Sequence, residues 1–312
     1  MKNDYFSIPI SMYNRMLKSP NTYIHHYKYD GRYCAKHITR FTQPVDKKIF
    51  EDIKREFFSQ NKPSKLQGNF NGDKPKEFIL PHLKSKYLLK FDIVKCFNSI
   101  TYELFEKCSA NKIDNMDMIK SLYFSPNLVV GLSSSAIISE VVLVKIIDNF
   151  INALLNSKEY KSLDVKYTRY YDDIYLSGDD KVALSSLKVK IIKQLSDNGL
   201  TVNLKKSSLS KTDNSIILKA KINQQNISIG RKFKNNLRLQ IHKHEVYNMD
   251  TIDLETVSIN IGLIHEVLGK VSHIINTETN PSKKWINVRR AYIEELDNMK
   301  SLRDELMAEA FN

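Results

Sequence analysis

The sequence predicts an α+β fold, with short strands arranged in an antiparallel sheet and amphipathic helices packed against it. Three patterns support this prediction. The apolar run KYLLKFDIV has the length of a strand, and VKYTRYYDDIYLSG contains two β-rich arms, Val165 to Tyr170 and Ile174 to Ser177. Apolar residues between 137 and 151 recur at helical spacing. With no linker or low-complexity stretch, the 312 residues are expected to form one large domain or two to three intimately packed ones.

Composition favours a nucleic acid as the partner. The formal charge of +13 and a pI near 9.4 give the chain a positive field that attracts polyanions, either nucleic acid or an anionic membrane surface. The longest apolar region, Val129 to Leu155, is interrupted by charged residues and is too polar to span a bilayer. The N-terminus lacks the apolar core of a secretory signal. These features predict a cytoplasmic protein with no membrane partner. The three cysteines form no C-x-x-C pair and are expected to be reduced packing residues.

The first 90 residues are expected to contain short strands and one helix. The segment IFEDIKREFF places Ile49, Ile53 and Phe57 on one helical face. A polar loop punctuated by Gly and Pro follows, from Asn61 to Lys76. The strand in KYLLKFDIV is then predicted to be central in its sheet and to end at Asp92.

A long buried helix and a hairpin are expected next. The serines from Ser133 offer N-caps for the helix, and the two arms around Tyr171 predict a hairpin with a pair of aspartates at its tip. Another helix, closed by Gly199, precedes shorter strands around LTVNL, SIILKAKI and ISIG. The remainder, from Arg231 on, is expected to be mainly helical.

Three carboxylates suggest a site for divalent metal ions. Asp92 ends a strand, and Asp172 and Asp173 lie at the hairpin tip 80 residues later, where adjacent strands of one sheet could bring them together. Transfer of a nucleotide to a growing strand requires two divalent ions held by such hard ligands. An Asp-Asp pair in a turn is unremarkable alone. Here it follows FDIVKCF and a Gly-Ser helix start, and precedes GLTVNLKK, in one basic chain.

Because these motifs occur together and in this order along the chain, they resemble those of the reverse transcriptases. The family's F-D-x-x-x-x-F motif corresponds to Phe91 to Phe97, and its Tyr-x-Asp-Asp motif to Tyr170 to Asp173. The resemblance implies that Asp92, Asp172 and Asp173 are catalytic and bind metal, together with the carbonyl of Ile93. It also implies that Phe97 is the aromatic gate that excludes a ribose 2'-hydroxyl, although Phe97 could equally be a core aromatic.

Within the family, the chain is most similar to retron and abortive-infection (defence-associated) bacterial reverse transcriptases, over about His25 to Glu245. The resemblance implies nucleotide contacts for Lys36, Gly131, Ser135 and Lys206. Departures from the retron pattern include Val129-Val130 and Ala136, where retron enzymes usually have Pro-Gln and Pro. The retron Asn-Ala-x-x-His signature survives only as His82, and Leu218-Lys219-Ala220 replaces Val-Thr-Gly.

A basic helix is expected to hold the nucleic acid. Residues 201–245 contain ten Lys/Arg and two Asp/Glu, a local excess of 10 − 2 = +8. In RKFKNNLRLQIHKHE, a basic stripe and an apolar stripe run at helical spacing; the apolar stripe would dock on the body and the basic one would face phosphates. A solvated helix face is the alternative. The predicted phosphate-facing residues are Arg231, Lys234, Arg238 and His242. By the resemblance this helix begins a thumb, with Asn287, Arg289 and Arg290 as later strand contacts and Trp285 as a packing anchor.

The resemblance implies a right-handed polymerase fold with fingers, palm and thumb. Its palm would contain the antiparallel sheet, and its thumb would be helical. Residues 1–90 would form the fingers and the entry to the palm, 91–228 the palm with a remaining fingers segment at about 103–130, and 229–312 the thumb.

The expected activity is RNA-directed DNA synthesis from dNTPs with two Mg²⁺ ions, for which Mn²⁺ is a possible substitute. The RNA template would be a cognate structured noncoding RNA, the product DNA, and the setting bacterial antiphage defence with a possible effector protein. Three alternatives stay open. They are template-independent or protein-primed DNA synthesis, a catalytically idle RNA-binding protein, and a two-metal nuclease.

Overall fold

The computed structural model describes residues 24–37, 43–59, 66–68, 74–109, 119–120, 122–124, 126–223, 225–246 and 253–310. These residues fall into two compact units. The first takes those within Met1–Asn71 and Tyr87–Ser210, and the second those within Gly72–Lys86 and Lys211–Asn312.

The strands are short and follow the chain in this order: β1 (Ile24–Tyr29), β2 (Arg32–His37), β3 (Tyr87–Phe91), β4 (Tyr123–Phe124), β5 (Asn127–Leu128), β6 (Lys166–Tyr170), β7 (Asp173–Gly178), β8 (Ser208–Lys211), β9 (Ile216–Ile217), β10 (Ala220–Asn223) and β11 (Asn226–Ile229). The helices are α1 (Gln43–Phe58), α2 (Pro75–Ile79), α3 (Cys96–Ser99), α4 (Tyr102–Ser109), α5 (Ser133–Leu143), α6 (Asn149–Leu155), α7 (Lys181–Asp197), α8 (Arg231–Val246), α9 (Leu254–Thr277) and α10 (Lys283–Ala310). A π-turn, Val144–Asp148, joins α5 to α6, and a 3₁₀ turn, Leu80–His82, follows α2.

The first unit is built on a four-stranded sheet of order β6-β7-β3-β8. Strands β6 and β7 form a hairpin, and β7 also pairs antiparallel with β3. Strand β3 therefore lies between two neighbours, as its nearly continuous apolar sequence predicts. The predicted α+β fold class, with an antiparallel sheet and a helical C-terminal region, is confirmed.

The core of the first unit forms where helices cover this sheet. Leu89 and Ile174 from the sheet, Ile138 from α5 and Leu187 from α7 are all buried in one apolar cluster. The predicted spacing of buried residues in the 137–151 segment is confirmed, but the helix is not regular throughout, because the π-turn interrupts it. The three cysteines, Cys34, Cys96 and Cys108, are buried, as expected for packing residues.

The prediction that a serine caps the start of α5 is wrong. The residue at the cap position is Leu132, which makes no side-chain cap. Instead the carboxylate of Asp46, from α1, accepts hydrogen bonds from the backbone N–H groups of Ser133 (2.8 Å) and Ser134 (2.9 Å) and from the Ser134 hydroxyl. A buried carboxylate distant in sequence thus supplies the negative charge and the acceptors that a helix N-terminus favours.

The second unit combines the sheet β11-β10-β9 with helices α8, α9 and α10. The residues after α9 bind the edge strand β11. Ile227 N donates to Thr279 Oγ1 (2.9 Å), and Ile229 N donates to Glu278 Oε1 (2.9 Å). Helix α2 packs on α9, and Lys76 Nζ donates to the carbonyl of Glu278 (3.1 Å).

The boundaries of the compact units lie at other positions than the boundaries predicted for fingers, palm and thumb. The C-terminal part of the second unit begins at Lys211, whereas the predicted palm–thumb boundary lies at 228–229, and the second unit also includes Gly72–Lys86. The difference arises because β9, β10 and β11 associate with the helices that follow them. The assignment of fingers, palm and thumb stays a prediction. Among the described residues, no helix combines the length and apolar character that a membrane crossing requires.

Candidate active site

The register of β3 and β7 brings two of the predicted catalytic residues together. The antiparallel ladder ends with Phe91 opposite Ile174. One step further along both strands come Asp92 and Asp173, so the same register sets these residues opposite each other, where Cα atoms are typically ~4.5–5.5 Å apart. Both side chains are partly exposed. This agrees with the prediction that adjacent strands bring the distant aspartates into proximity.

The third aspartate lies in the tight turn of the β6–β7 hairpin. Tyr170 pairs with Asp173, which leaves Tyr171 and Asp172 as the two turn residues. Tyr171 has a φ of +52°, in the left-handed region that a bulky side chain rarely adopts. Its ring contacts that of Tyr170 edge to face, with centroids 5.0 Å apart. The predicted hairpin with the aspartates at its tip is confirmed.

Two of the aspartates have raised pKa values, because both are partly buried and lie near other negative charges. Burial and, next, the charges of Asp172 and Asp92 raise the pKa of Asp173 to about 6. Burial raises the pKa of Asp172 as well; a backbone hydrogen bond opposes the shift and the charge of Asp92 adds to it. Like charges crowded together disfavour ionisation, and a bound cation removes that penalty.

The chain segment after α7 holds Asp92 in place. Asn203 N donates to the Asp92 carbonyl (2.7 Å), and Asp92 N donates to Ser207 Oγ (3.3 Å). An isolated antiparallel bridge joins Ile93 to Val202. Lys206, a predicted nucleotide-binding residue, is exposed, and its Nζ lies 3.3 Å from Asp92 Oδ2. The segment GLTVNLKKS thus lies beside Asp92 and Ile93.

The three carboxylates fit a site for divalent ions in their oxygen donors and in their negative charge. Among the residues that the structure describes, however, no three His, Cys, Asp or Glu side chains are already assembled closely enough to hold a metal ion. The roles of Asp92, Asp172 and Asp173 as ligands, with the Ile93 carbonyl, stay predictions.

Gly131 and Lys36 lie on neighbouring segments of the first unit. Ala35 N donates to the Val130 carbonyl (2.8 Å), and Val130 N donates to the Tyr33 carbonyl (3.0 Å). Gly131 has a φ of +112°, and a Cβ there would lie 2.4 Å from the Ala35 carbonyl oxygen. A glycine is therefore required where this loop approaches β2. The Lys36 side chain falls outside the described part of the chain.

The other two predicted nucleotide-binding residues differ in accessibility. Phe97 is half-buried on α3 and packs against the core, so both interpretations of this aromatic remain compatible with its position. Ser135 is fully buried in α5, and its hydroxyl has no hydrogen-bond partner within the described residues. Its nucleotide contact stays a prediction that this buried position does not support.

A buried ion network behind the hairpin was missed by sequence reasoning. Arg169, which directly precedes the Tyr-x-Asp-Asp motif, is completely buried. Its guanidinium contacts the carboxylates of Glu140 and Asp148 at 2.7 Å each. The signal in the sequence was the pair Glu140 and Asp148 inside an otherwise apolar region, because a charge in a buried element requires a partner.

The basic stripe of α8 is a feature of the second unit. Arg231, Arg238 and His242 are exposed, while Leu237 and Ile241 on the other stripe are buried, as predicted. Lys234 is less available, because its Nζ lies 2.6 Å from the buried Glu278 Oε1. Arg238 lies over the ring of Trp285, 5.6 Å from its centroid. Trp285 itself is 2% exposed, which agrees with a packing anchor, whereas Asn287, Arg289 and Arg290 are exposed.

Comparison with known protein families identifies one match over most of the chain. The sequence model described as reverse transcriptase (RNA-dependent DNA polymerase) matches residues 28–246. The retron Ec83 reverse transcriptase of Escherichia coli is 27% identical over 205 residues, which cover 60% of this chain and 64% of the relative. The retron Ec86 reverse transcriptase of the same organism is 24% identical over 167 residues, covering 52% of this chain and 50% of the relative. The chain thus spans about half to two thirds of the length of the curated relatives it matches.

Solved structures with a similar arrangement include two nucleic-acid complexes. The telomerase of Candida albicans with a fragment of telomeric RNA superposes with a TM-score of 0.49 at 15% identity, over 85% of this chain and 52% of that one. A foamy viral protease-reverse transcriptase with double-stranded DNA gives a TM-score of 0.40 at 17% identity, over 90% of this chain and 43% of that one.

Proposed function

This chain belongs to the reverse transcriptase (RNA-dependent DNA polymerase) family, and we propose that it extends a DNA 3'-end with dNTPs on an RNA template. The single observation that carries the proposal is the register of β3 and β7. It sets Asp92 opposite Asp173 and beside the turn residue Asp172, inside a chain whose family match covers all three.

The proposed roles of the side chains follow from their positions. Asp92, Asp172 and Asp173 would hold two divalent ions, Mg²⁺ with Mn²⁺ as a possible substitute, together with the Ile93 carbonyl. When bound, such ions supply activation of the attacking hydroxyl and neutralisation of the triphosphate charge. The hairpin turn and the tie between Asn203 and Asp92 orient the carboxylates before substrate arrives.

Substrate contacts are a second part of the proposal. Lys36, Gly131 and Lys206 would contact the incoming nucleotide, and Phe97 would exclude a ribose 2'-hydroxyl. Ser135 could take part only if its helix start moved, since it is buried. The exposed basic residues of α8, with Lys234 partly engaged by Glu278, would contact phosphates without reading sequence.

The biological setting is a further part of the proposal. Because the curated relatives are named retron reverse transcriptases, we propose a cognate structured noncoding RNA as template and DNA as product. The resemblance to defence-associated enzymes supports a cytoplasmic role in bacterial antiphage defence, with a possible effector protein. Sequencing the nucleic acid that copurifies with the protein tests this part, and a defined small RNA with complementary DNA is expected.

Primer extension tests the proposed chemistry. The wild-type protein, Asp172→Asn and the exposed control Asp197→Asn are incubated with labelled DNA primer, RNA template, dNTPs and Mg²⁺. Extension by the wild type and by Asp197→Asn is expected, with a loss of at least about a hundredfold in Asp172→Asn, since removal of a ligand carboxylate weakens a metal site directly. Equal extension by all three proteins would refute the proposal.

The same reaction mixture, varied in its components, distinguishes the alternative functions. Products that form equally without RNA and are covalently attached to a tyrosine of the protein indicate protein-primed, template-independent synthesis. Degradation of labelled DNA without dNTP dependence indicates a nuclease. If antiphage defence is unchanged in the Asp172→Asn variant, the chain is an RNA-binding protein that does not depend on catalysis.

A further inference from the structure

The buried guanidinium of Arg169 is connected directly to the turn that carries the aspartates. Its Nη1 donates to the carbonyl of Tyr171 at 2.7 Å. Tyr171 is the turn residue immediately before Asp172, and its positive φ is a conformation that needs support from its surroundings. The contact therefore supports the backbone at the point from which the Asp172 side chain emerges.

Two buried carboxylates fix the position of this guanidinium. Asp148 binds it with both oxygens, at 2.8 Å from Nε and 2.7 Å from Nη2, in the parallel two-bond arrangement that defines orientation as well as charge. Glu140 Oε2 lies 2.7 Å from Nη2. Tyr167 also donates its hydroxyl to Asp148. Every one of these side chains is buried or half-buried, so water competes little for the contacts.

The π-turn explains how both carboxylates reach one arginine. Glu140 and Asp148 are eight residues apart, and in a regular α-helix, at about 100° per residue, they would point about 80° away from each other. The π-turn accommodates one additional residue, so the angular separation becomes that of seven residues, about 20°. The two side chains then lie on the same face, one above the other. The irregular turn is thus the local device that directs Asp148 toward Arg169.

The backbone of Arg169 is fixed as well. It pairs with Ile174 in β7 on one side. On the other side its N–H donates to the Leu66 carbonyl (3.0 Å), and its carbonyl accepts from Gly68 N (2.8 Å). With backbone and side chain both held, the guanidinium is a rigid point of attachment for the turn.

We propose that Arg169 is a positioning residue that acts through the Tyr171 carbonyl to hold the Asp172–Asp173 turn in the conformation that binds metal. This inference rests on the proposed function, since it assigns to Arg169 a role toward the same carboxylates. A lysine cannot replace it, because an ammonium lacks the planar fork that spans the Asp148 carboxylate and a carbonyl together.

Metal binding, measured separately from polymerase activity, tests the proposal. Mn²⁺ titrations followed by electron paramagnetic resonance are run on the wild type, Arg169→Lys and the control Arg55→Lys. Arg55 lies on the exposed face of α1 and pairs with Asp52. We expect Mn²⁺ to dissociate at least fivefold more readily from Arg169→Lys, with kcat lowered and the KM for primer–template unchanged, and the control to stay within twofold of the wild type.

A folded Arg169→Lys protein, as judged by circular dichroism, that binds Mn²⁺ like the wild type would overturn the positioning role. If that variant does not fold, Glu140→Gln carries the test, because it keeps the Asp148 and Tyr171 contacts and removes one charged anchor. It is expected to weaken Mn²⁺ binding about threefold, and unchanged binding would overturn the inference. A wild-type protein that neither binds Mn²⁺ nor extends a primer would refute the proposed function, and the positioning role with it.

Discussion

Gly131→Ala is predicted to destabilise the chain by about 3 kcal/mol. A Cβ at this position would lie 2.4 Å from the Ala35 carbonyl oxygen, whereas real Cβ atoms essentially never come closer than 3.0 Å, so the backbone must separate by at least 3.0 − 2.4 = 0.6 Å. The segment cannot yield freely, because hydrogen bonds of 2.8 and 3.0 Å hold Val130 against β2. The positive φ of 112° adds strain for any residue with a Cβ. Overpacking and backbone strain cost roughly 1–3 kcal/mol each.

Urea denaturation followed by circular dichroism measures the effect, with Gly199→Ala as the matched control. Gly199 also has a positive φ, +75°, but a Cβ there would meet nothing within 4 Å. The control therefore has the backbone strain of a positive φ but no steric clash at the Cβ, and its free energy of unfolding should fall by only about 1 kcal/mol. The reasoning is refuted if both variants lose the same stability at unchanged denaturant slope, since the close approach to Ala35 would then contribute nothing.

Three further predictions concern stability. Burial lowers the pKa of His82 to about 3 from the ordinary 6.5. As the pH falls below 6.5, the unfolded chain therefore binds more protons than the folded chain, and the folded state loses stability. In urea titrations the wild type should lose about 2 kcal/mol more than His82→Gln between pH 7 and 5, and equal losses would contradict this. Asp46→Ala should cost about 2 kcal/mol by removing the cap of α5, and Asp46→Asn, which still accepts hydrogen bonds, about half as much; the reverse order in urea midpoints would argue against the capping role. Gly269→Ala, at an exposed mid-helix position of α9 with open space for a Cβ, should stabilise by about 0.5–1 kcal/mol, and a lowered melting temperature would contradict this.

Patterns that act over a few residues predicted the structure well. The apolar run before Asp92 formed the inner strand β3, and the two β-rich arms around Tyr171 formed the β6–β7 hairpin. In α8 the stripe containing Leu237 and Ile241 is buried, as its spacing indicates. These elements follow from side-chain periodicity and turn chemistry, which the chain specifies locally.

Features that depend on contacts distant in sequence were not predicted. The cap of α5 comes from Asp46, 87 residues before Ser133, where no local pattern points to it. The prediction of a serine cap had a sound local basis, but a buried carboxylate that satisfies two backbone N–H groups at once is the stronger partner. Likewise the association of β9, β10 and β11 with the helices after them moved a compact-unit boundary to 210–211.

The candidate active site contains both features that the sequence predicted and features that it did not. The order of the motifs along the chain, and their occurrence together, identified Asp92, Asp172 and Asp173 as candidates. The sheet register brings these residues near one another. The charged residues at 140 and 148 were noticed in the sequence only as interruptions of an apolar region. Their partnership with Arg169 requires the three-dimensional pairing of a helix with a strand, which spacing along one segment cannot reveal.

The π-turn at Val144–Asp148 also has a consequence for aligning this chain with its relatives. Compared with a regular helix, a helix that contains one extra residue presents the same face to its neighbours only if each later residue is aligned with the preceding position of the regular helix. Against a relative with a regular helix, a gap belongs inside this turn, and an ungapped alignment would match Asp148 to the wrong position. In such an alignment, the helix positions just after Leu143, Asp148 among them, match the corresponding face only when the additional residue is counted.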